Sequence, residues 1–369
     1  MKINQIQPWF DEKEKQALID YMDSGGWMME FKKTEELEKM IVDYVGKKYC
    51  SMLTNGTITL FCALFAYNIG RGDEVIVPDY TMIATPNAVN LAGAKSVFVD
   101  VERETLCMNV GELERKITDK TKAIMLVSIN GRYPLELEEV IETCVNKDIK
   151  IIEDAAQSLG SFYHKKHVGT FGDIGSFSFS MPKIITAGGG GCLVTNDKDI
   201  YNKIESTKDF GRIKSGVDEY NRMGWNFKYT DLQAVVGIEQ MKKLPARVEM
   251  KKNIYKWYQK YLKGVSGIEF IETSEEVAPW FVDILVENRD ALSKKLTEKG
   301  IGTRPFYPSI SQTPIYMENE NFPNSEYISK HGLWLPSSSF LTEENIKEIC
   351  DEIIDSVLVP RNKKSLDLL

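Results

Sequence analysis

From about residue 35 onward, apolar runs of strand length alternate with stretches of helical periodicity. The strand-like runs are DEVIVPD (73–79), KSVFVDV (95–101), TKAIMLVSI (121–129) and IKIIEDAAQS (149–158). Helical spacing marks 33–46 and 136–148, and 58–70 is a strongly apolar helix closed by Gly70. Strands separated by helices of this length predict βαβ units, a mainly parallel sheet and right-handed connections. DIGSFSFS (173–180) alternates with period two, and GCLVTND (191–197) reads as a short strand leaving a glycine run. After Leu244-Pro245 the texture changes to a long charged helix (246–265), a strand (279–287), a helix (289–300) and a terminal helix (342–358). A chain of 369 residues is too long for one small core. The expectation is an α/β fold: a large domain over 1–244, including the N-terminal segment, and a smaller C-terminal α+β domain over 245–369.

Charge and composition exclude several function classes. Lys and Arg number 46 against 54 Asp and Glu, a formal net charge of −8. Nucleic acid is therefore a poor main partner, although a local basic site for a phosphorylated small molecule stays open. No apolar run reaches the roughly 18 to 20 residues that span a bilayer. The opening MKINQIQPWF lacks the apolar core of a signal peptide, so a cytoplasmic protein is expected. The six cysteines are scattered, with no C-x-x-C pair, and His164, His167 and His331 are the only histidines. That argues against a zinc site. The same shortage of histidine, without a G-x-S-x-G elbow, argues against a Ser-His-Asp hydrolase.

Four features carry chemistry. Asp154 ends an apolar strand, at the carboxyl edge where open α/β sheets bind ligands. For a lone aspartate the bland reading, a helix cap or structural ion pair, comes first. The functional one is a counter-ion to a cationic cofactor atom such as a protonated pyridine nitrogen. Asn55-Gly56-Thr57 stands before an apolar helix, whose unpaired N–H groups and dipole suit a phosphate; alone it reads as an ordinary N-cap. Ser178 and then Lys183 lie in FSFSMPKIITAGGGG, where nearly every neighbour is apolar or small. Most lysines are solvated, but one shielded from water has a depressed pKa and can form a Schiff base. The glycines at 188–191 meet neither Walker nor dinucleotide spacing, so a tight turn is their plain reading. Together these parts would hold an aldehyde cofactor by its phosphate, ring nitrogen and carbonyl carbon.

The stretches NGTITLFCAL, GDEVIVPDYTMIATPNAV, IIEDAAQSLGS, GTFGDIGSFSFSMPKIITAGGGG and WNFKYTDLQAVVGIEQM, in this order, resemble the DegT–StrS family of sugar aminotransferases. The resemblance covers nearly the whole chain. It implies pyridoxal 5′-phosphate as cofactor and the fold-type-I architecture, a mainly parallel, seven-stranded-type sheet sandwiched by helices. By position, Lys183 is the family's Schiff-base lysine and Asp154 pairs with the pyridine nitrogen. Gln157 lies near the ring hydroxyl, and Gly56, Thr57 and Ser178 contact the phosphate. Asn226 reaches the phosphate from a neighbouring subunit, which implies a homodimer with shared sites. Met82 stands where an aromatic residue commonly stacks on the ring, Gly189 where glutamate is frequent, and Lys228 where arginine is usual. SINGRYP (Ser128 to Pro134) replaces the family's H-x-Y-G near the expected substrate. Tyr80, Ser128, Arg304 and Tyr307 are the substrate-side candidates.

The resemblance further implies glutamate as amino donor and a nucleotide-linked 4-keto-6-deoxyhexose as acceptor. PKIITAGGGG resembles members that aminate sugar C4, with GDP as the first nucleotide expected, rather than C3. A UDP- or dTDP-linked sugar, a C3-acting aminotransferase and a non-catalytic ligand sensor are the alternatives. A dehydratase branch carries histidine at the lysine position, which Lys183 opposes.

Overall fold

The computed structural model describes residues 2–317 and 319–358. A seven-stranded sheet organises most of the chain. It contains β1 (Tyr49–Leu53), β2 (Glu74–Pro78), β3 (Lys95–Val99), β4 (Thr121–Val127), β5 (Lys150–Asp154), β8 (Ile174–Ser178) and β9 (Gly191–Thr195), in the order β1-β9-β8-β5-β4-β2-β3. Strands β8, β5, β4, β2 and β3 are parallel; β9 runs against both β8 and β1. A small hairpin, β6 (Phe162–Tyr163) with β7 (Lys166–His167), interrupts the passage from β5 to β8.

The continuous hydrophobicity of the central strands follows from burial on both faces. On β2, Val75 and Val77 face one core while Ile76 faces another. On β4, Ala123, Met125 and Val127 divide in the same way from Ile124 and Leu126. That is the period-two alternation of a pleated strand with apolar layers above and below. The layers come from α2 (Lys32–Val45), α3 (Gly56–Ala66), α4 (Ala84–Leu91), α5 (Val110–Lys116), α6 (Leu137–Asn146) and α7 (Lys198–Lys208), while α1 (Glu12–Asp23) packs on the long helix that follows α7.

Helix α8 (Asp231–Leu262) runs 32 residues, about 48 Å, straight through the texture change at Leu244-Pro245. Its first half packs Ala234, Ile238 and Met241 against Leu37 and Ile41 of α2. Its second half packs Ile254, Tyr258 and Leu262 into a separate core. That core lies under a four-stranded antiparallel sheet, β10 (Glu269–Phe270), β11 (Val282–Leu285), β13 (Gly332–Leu335) and β12 (Arg304–Pro305), in that order. Helices α9 (Arg289–Glu298), α10 (Pro323–His331) and α11 (Glu343–Leu358) complete this part. Ile3 bridges to Ile301 and is buried in the same core, so the N-terminal segment is tied to the small sheet. No helix among the described residues is long and apolar enough to cross a membrane.

Candidate active site

Because β1, β8, β5, β4 and β2 point the same way, their carboxyl ends line up along one edge of the large sheet. The chain leaves them at Asn55, Ser178, Asp154, Ser128 and Tyr80. Ligands of open α/β sheets settle at this edge.

Asp154 is the last residue of β5 and is buried. Its Oδ2 accepts from the Thr85 hydroxyl at 2.7 Å, and its Oδ1 from the Ala156 N–H at 3.2 Å. Thr85 in turn shares a hydrogen bond with Thr81 at 3.0 Å. Burial pushes the Asp154 pKa up; the Thr85 hydroxyl, the charge of Lys183 and the Ala156 N–H pull it back. Lys183 follows the turn after β8 and is half-buried. Burial lowers its amine to about 8, with Asp154 resisting and Arg304 reinforcing the fall. The two groups therefore feel each other's charge. Trp280, next to β11, forms one wall: its ring centroid lies 4.2 Å from Lys183 Nζ.

Gly56 opens α3 beside Ser178. A Cβ on Gly56 would stand 3.1 Å from the Ser178 Cβ and 3.3 Å from its hydroxyl oxygen. The Asn55 side chain caps the helix, accepting from the N–H groups of Thr57 and Ile58 at 3.1 and 3.0 Å. Ser178 Oγ lies 3.3 Å from that of Ser180. Of the glycine run, Gly190 has φ 115°, and a Cβ there would meet the Tyr229 ring at 2.6 Å. Tyr229 donates to the Gly189 carbonyl at 3.3 Å. The run is thus a tight turn packed on a tyrosine and bridged to Asn55, close to the α3 N-terminus.

The substrate-side candidates form an aromatic and cationic group. Tyr80 is fully buried, and its hydroxyl has no hydrogen-bond partner among the described residues. Its ring lies 6.3 Å from that of Tyr307. Arg304 is exposed and packs its guanidinium 5.5 Å from the rings of Tyr307 and Trp334. Burial raises Tyr307 to about 12.

The other expected residues make contacts of their own. Met82 is 43% exposed and folds back, its sulfur accepting from the Ala84 N–H at 3.0 Å. Ser128 is buried beneath Asp154, donating its N–H to the Asp154 carbonyl at 3.1 Å. The rest of SINGRYP turns inward. Asn130 takes both backbone groups of Phe281 and reaches Asp283 at 2.6 Å. Arg132 makes a buried two-pronged ion pair with Asp283, at 2.9 and 2.5 Å. Gln157 accepts from the Asn130 N–H at 2.7 Å. Asn226 is exposed and pairs its backbone with Asp209, while Lys228 forms an ion pair with Asp209. Thr85 and Trp280 are the site residues that sequence reasoning missed. Thr85 lies inside a quoted matching stretch, whereas Trp280 has no local signal.

These residues fit pyridoxal phosphate: a helix N-terminus at Gly56 with Ser178 beside it, a buried carboxylate at Asp154, and an amine of depressed basicity at Lys183 within reach of that charge.

Comparison with known proteins agrees. The model of the DegT/DnrJ/EryC1/StrS aminotransferase family matches residues 8–354. The chain belongs to this family; it is an aminotransferase dependent on pyridoxal phosphate. It is 35% identical to GDP-perosamine synthase of Escherichia coli O157:H7, covering 94% of this chain and 96% of that protein. It is 32% identical to GDP-perosamine synthase of Vibrio cholerae, with the same coverage. A crystal structure of the aminotransferase TlmJ from Streptoalloteichus hindustanus superposes with a TM-score of 0.91 at 25% identity, over 96% of this chain and 98% of that one.

Proposed function

We propose that this enzyme transfers an amino group from glutamate to C4 of a nucleotide-linked 4-keto-6-deoxyhexose, GDP being the nucleotide. The observation that carries the chemistry is the buried Asp154 at the end of β5, whose charge bears on the Lys183 amine. The choice of sugar draws on the two GDP-perosamine synthases above.

When bound, pyridoxal phosphate supplies the electron sink that makes the donor's α-proton labile. Lys183 would hold the cofactor's aldehyde carbon. Once released, its amine takes the α-proton as base and returns it as acid. With a pKa near 8 both protonation states are populated at neutral pH, as a proton shuttle requires. Asp154, oriented by Thr85 and Ala156, would present a carboxylate to the protonated ring nitrogen. Gly56, Thr57 and Ser178 would seat the phosphate, with Asn226 of a second copy completing it in a homodimer. Gln157, oriented by the Asn130 N–H, would meet the ring hydroxyl. Met82 would pack on the ring face. Arg304 would fork onto the nucleotide phosphates, with Tyr80, Ser128 and Tyr307 on the sugar side. The reaction takes place in the cytoplasm.

The test is a panel of GDP-, UDP- and dTDP-linked 4-keto-6-deoxy sugars with glutamate, the products read by mass spectrometry and NMR. The GDP sugar should give the C4 amine with the highest kcat/KM. A preference for UDP or dTDP, or an amine at C3, overturns the substrate assignment. No turnover of any sugar, and no spectral response to glutamate, would instead mark a ligand sensor.

A further inference from the structure

Trp280 precedes β11 in the small-sheet part of the chain, yet its side chain reaches the large sheet's loop. It is 2% exposed. Its indole Nε1–H donates to the Pro182 carbonyl at 2.6 Å, one residue before Lys183. Its ring face lies 4.2 Å from the Lys183 amine. The ring is itself fixed: Phe281 stacks on it with centroids 3.9 Å apart, and Trp334 meets it at 5.9 Å. Behind it, the buried amine of Lys251 on α8 donates to the Trp280 carbonyl at 2.9 Å and also to the Ser337 carbonyl. The indole therefore cannot turn without losing a hydrogen bond and its ring contacts.

We propose that Trp280 is a positioning residue for Lys183, clamping the adjoining backbone with its N–H and confining the amine with its ring. The proposal rests on Lys183 being the reacting amine. The charged groups bearing on Lys183 are Asp154, at the end of β5, which favours the ammonium, and Arg304, on β12, which opposes it. Trp280 adds two uncharged effects of opposite sign. Its π face attracts a cation, and its bulk excludes water, which favours the neutral amine. The depressed basicity of Lys183 comes first from burial, to which the indole wall contributes.

The test has two stages. Borohydride reduction of the holoenzyme, followed by peptide mapping, should trap the cofactor on Lys183; trapping on another lysine overturns both the reading of Lys183 and the positioning role that rests on it. Next, the holoenzyme is converted by excess glutamate to its aminated-cofactor form, which frees the Lys183 amine; it is labelled competitively with acetic anhydride across pH, and Lys183 is followed by mass spectrometry. Trp280→Leu should raise its titration midpoint by about one unit, a tenfold loss of neutral amine at a given pH. Trp280→Phe keeps a ring but loses the N–H. It should lower kcat about tenfold, the scale of a lost oriented hydrogen bond, with KM for the nucleotide sugar nearly unchanged. If Trp280→Leu fails to fold by circular dichroism, Trp280→Phe decides alone through that kcat-against-KM split. Unchanged midpoint and kcat in the folded variants overturn the proposal.

Discussion

Lys183 is half-buried and Lys208 fully buried, and their surroundings push them in opposite directions. Lys208 ends α7 and is 1% exposed. Its amine lies 2.9 Å from Glu30 and from Glu205, and 3.7 Å from Glu38. Burial pulls its pKa down, but Glu205, Glu38 and Glu30 together hold it well above the ordinary lysine value. Lys183 has one carboxylate, a guanidinium that opposes it, and an indole wall; burial wins there. Burial alone therefore does not make a reactive amine. The number of carboxylates around it decides whether it is a fixed charge or a proton carrier.

Exchanging each lysine for methionine tests that contrast most severely. Lys183→Met should cut turnover at least about 10³-fold, the scale of a lost acid–base group, while chemical denaturation shows stability within about 1 kcal/mol of wild type. Lys208→Met should do the reverse. The acidic groups of Glu30, Glu38 and Glu205 lose the buried cation they share, so the unfolding free energy should fall by about 3–5 kcal/mol with turnover per folded molecule near wild type. If both variants lose the same property, the contrast is wrong.

Asp154→Asn sharpens it from the other side. Turnover should fall about 10²- to 10³-fold, the scale of a lost fixed charge at a reacting centre. The Lys183 labelling midpoint should also move below about 8, because the one group favouring the ammonium is gone. A midpoint that rises would show that Asp154 does not bear on the amine.

The smallest effect belongs to Glu38, whose carboxyl is pushed up to about 8, first by burial and then by Glu205 and Glu30 against the pull of Lys208. Between its ordinary value of 4.5 and about 8, the native state keeps a proton that the unfolded chain has released. Stability should therefore fall as pH rises through that window, by at most about 1.4 kcal/mol per unit. Glu38→Gln should flatten the slope in denaturation series at several pH values.

Much of this was legible in one dimension. Asp154 closes a run of buried apolar residues, so its place at a sheet edge followed from the pattern of β5. Lys183 was conspicuous because a charge stood among small and apolar neighbours. Gly56 and Thr57 sat where a strand gives way to an apolar helix. Other features left no local trace. Helix α8 carries two faces for two cores, so the change of texture at Pro245 falls in mid-helix. Asn130 and Arg132 look like loop residues facing a ligand, but Asp283, some 150 positions on, draws them inward. Trp280 reads as one more apolar residue of a strand.

The amino-acid order by itself determined which segments become strands, which helices flank them, and which strand ends carry Asp154, Ser178 and Lys183. These follow from period, length and the residue before each turn, all set within a few positions along the chain. Only the tertiary structure decided what surrounds each charge: one carboxylate and an indole for Lys183, three carboxylates for Lys208. Basicity depends on the electrostatics and water within a few ångströms, and those neighbours arrive from strands and helices far away in the chain.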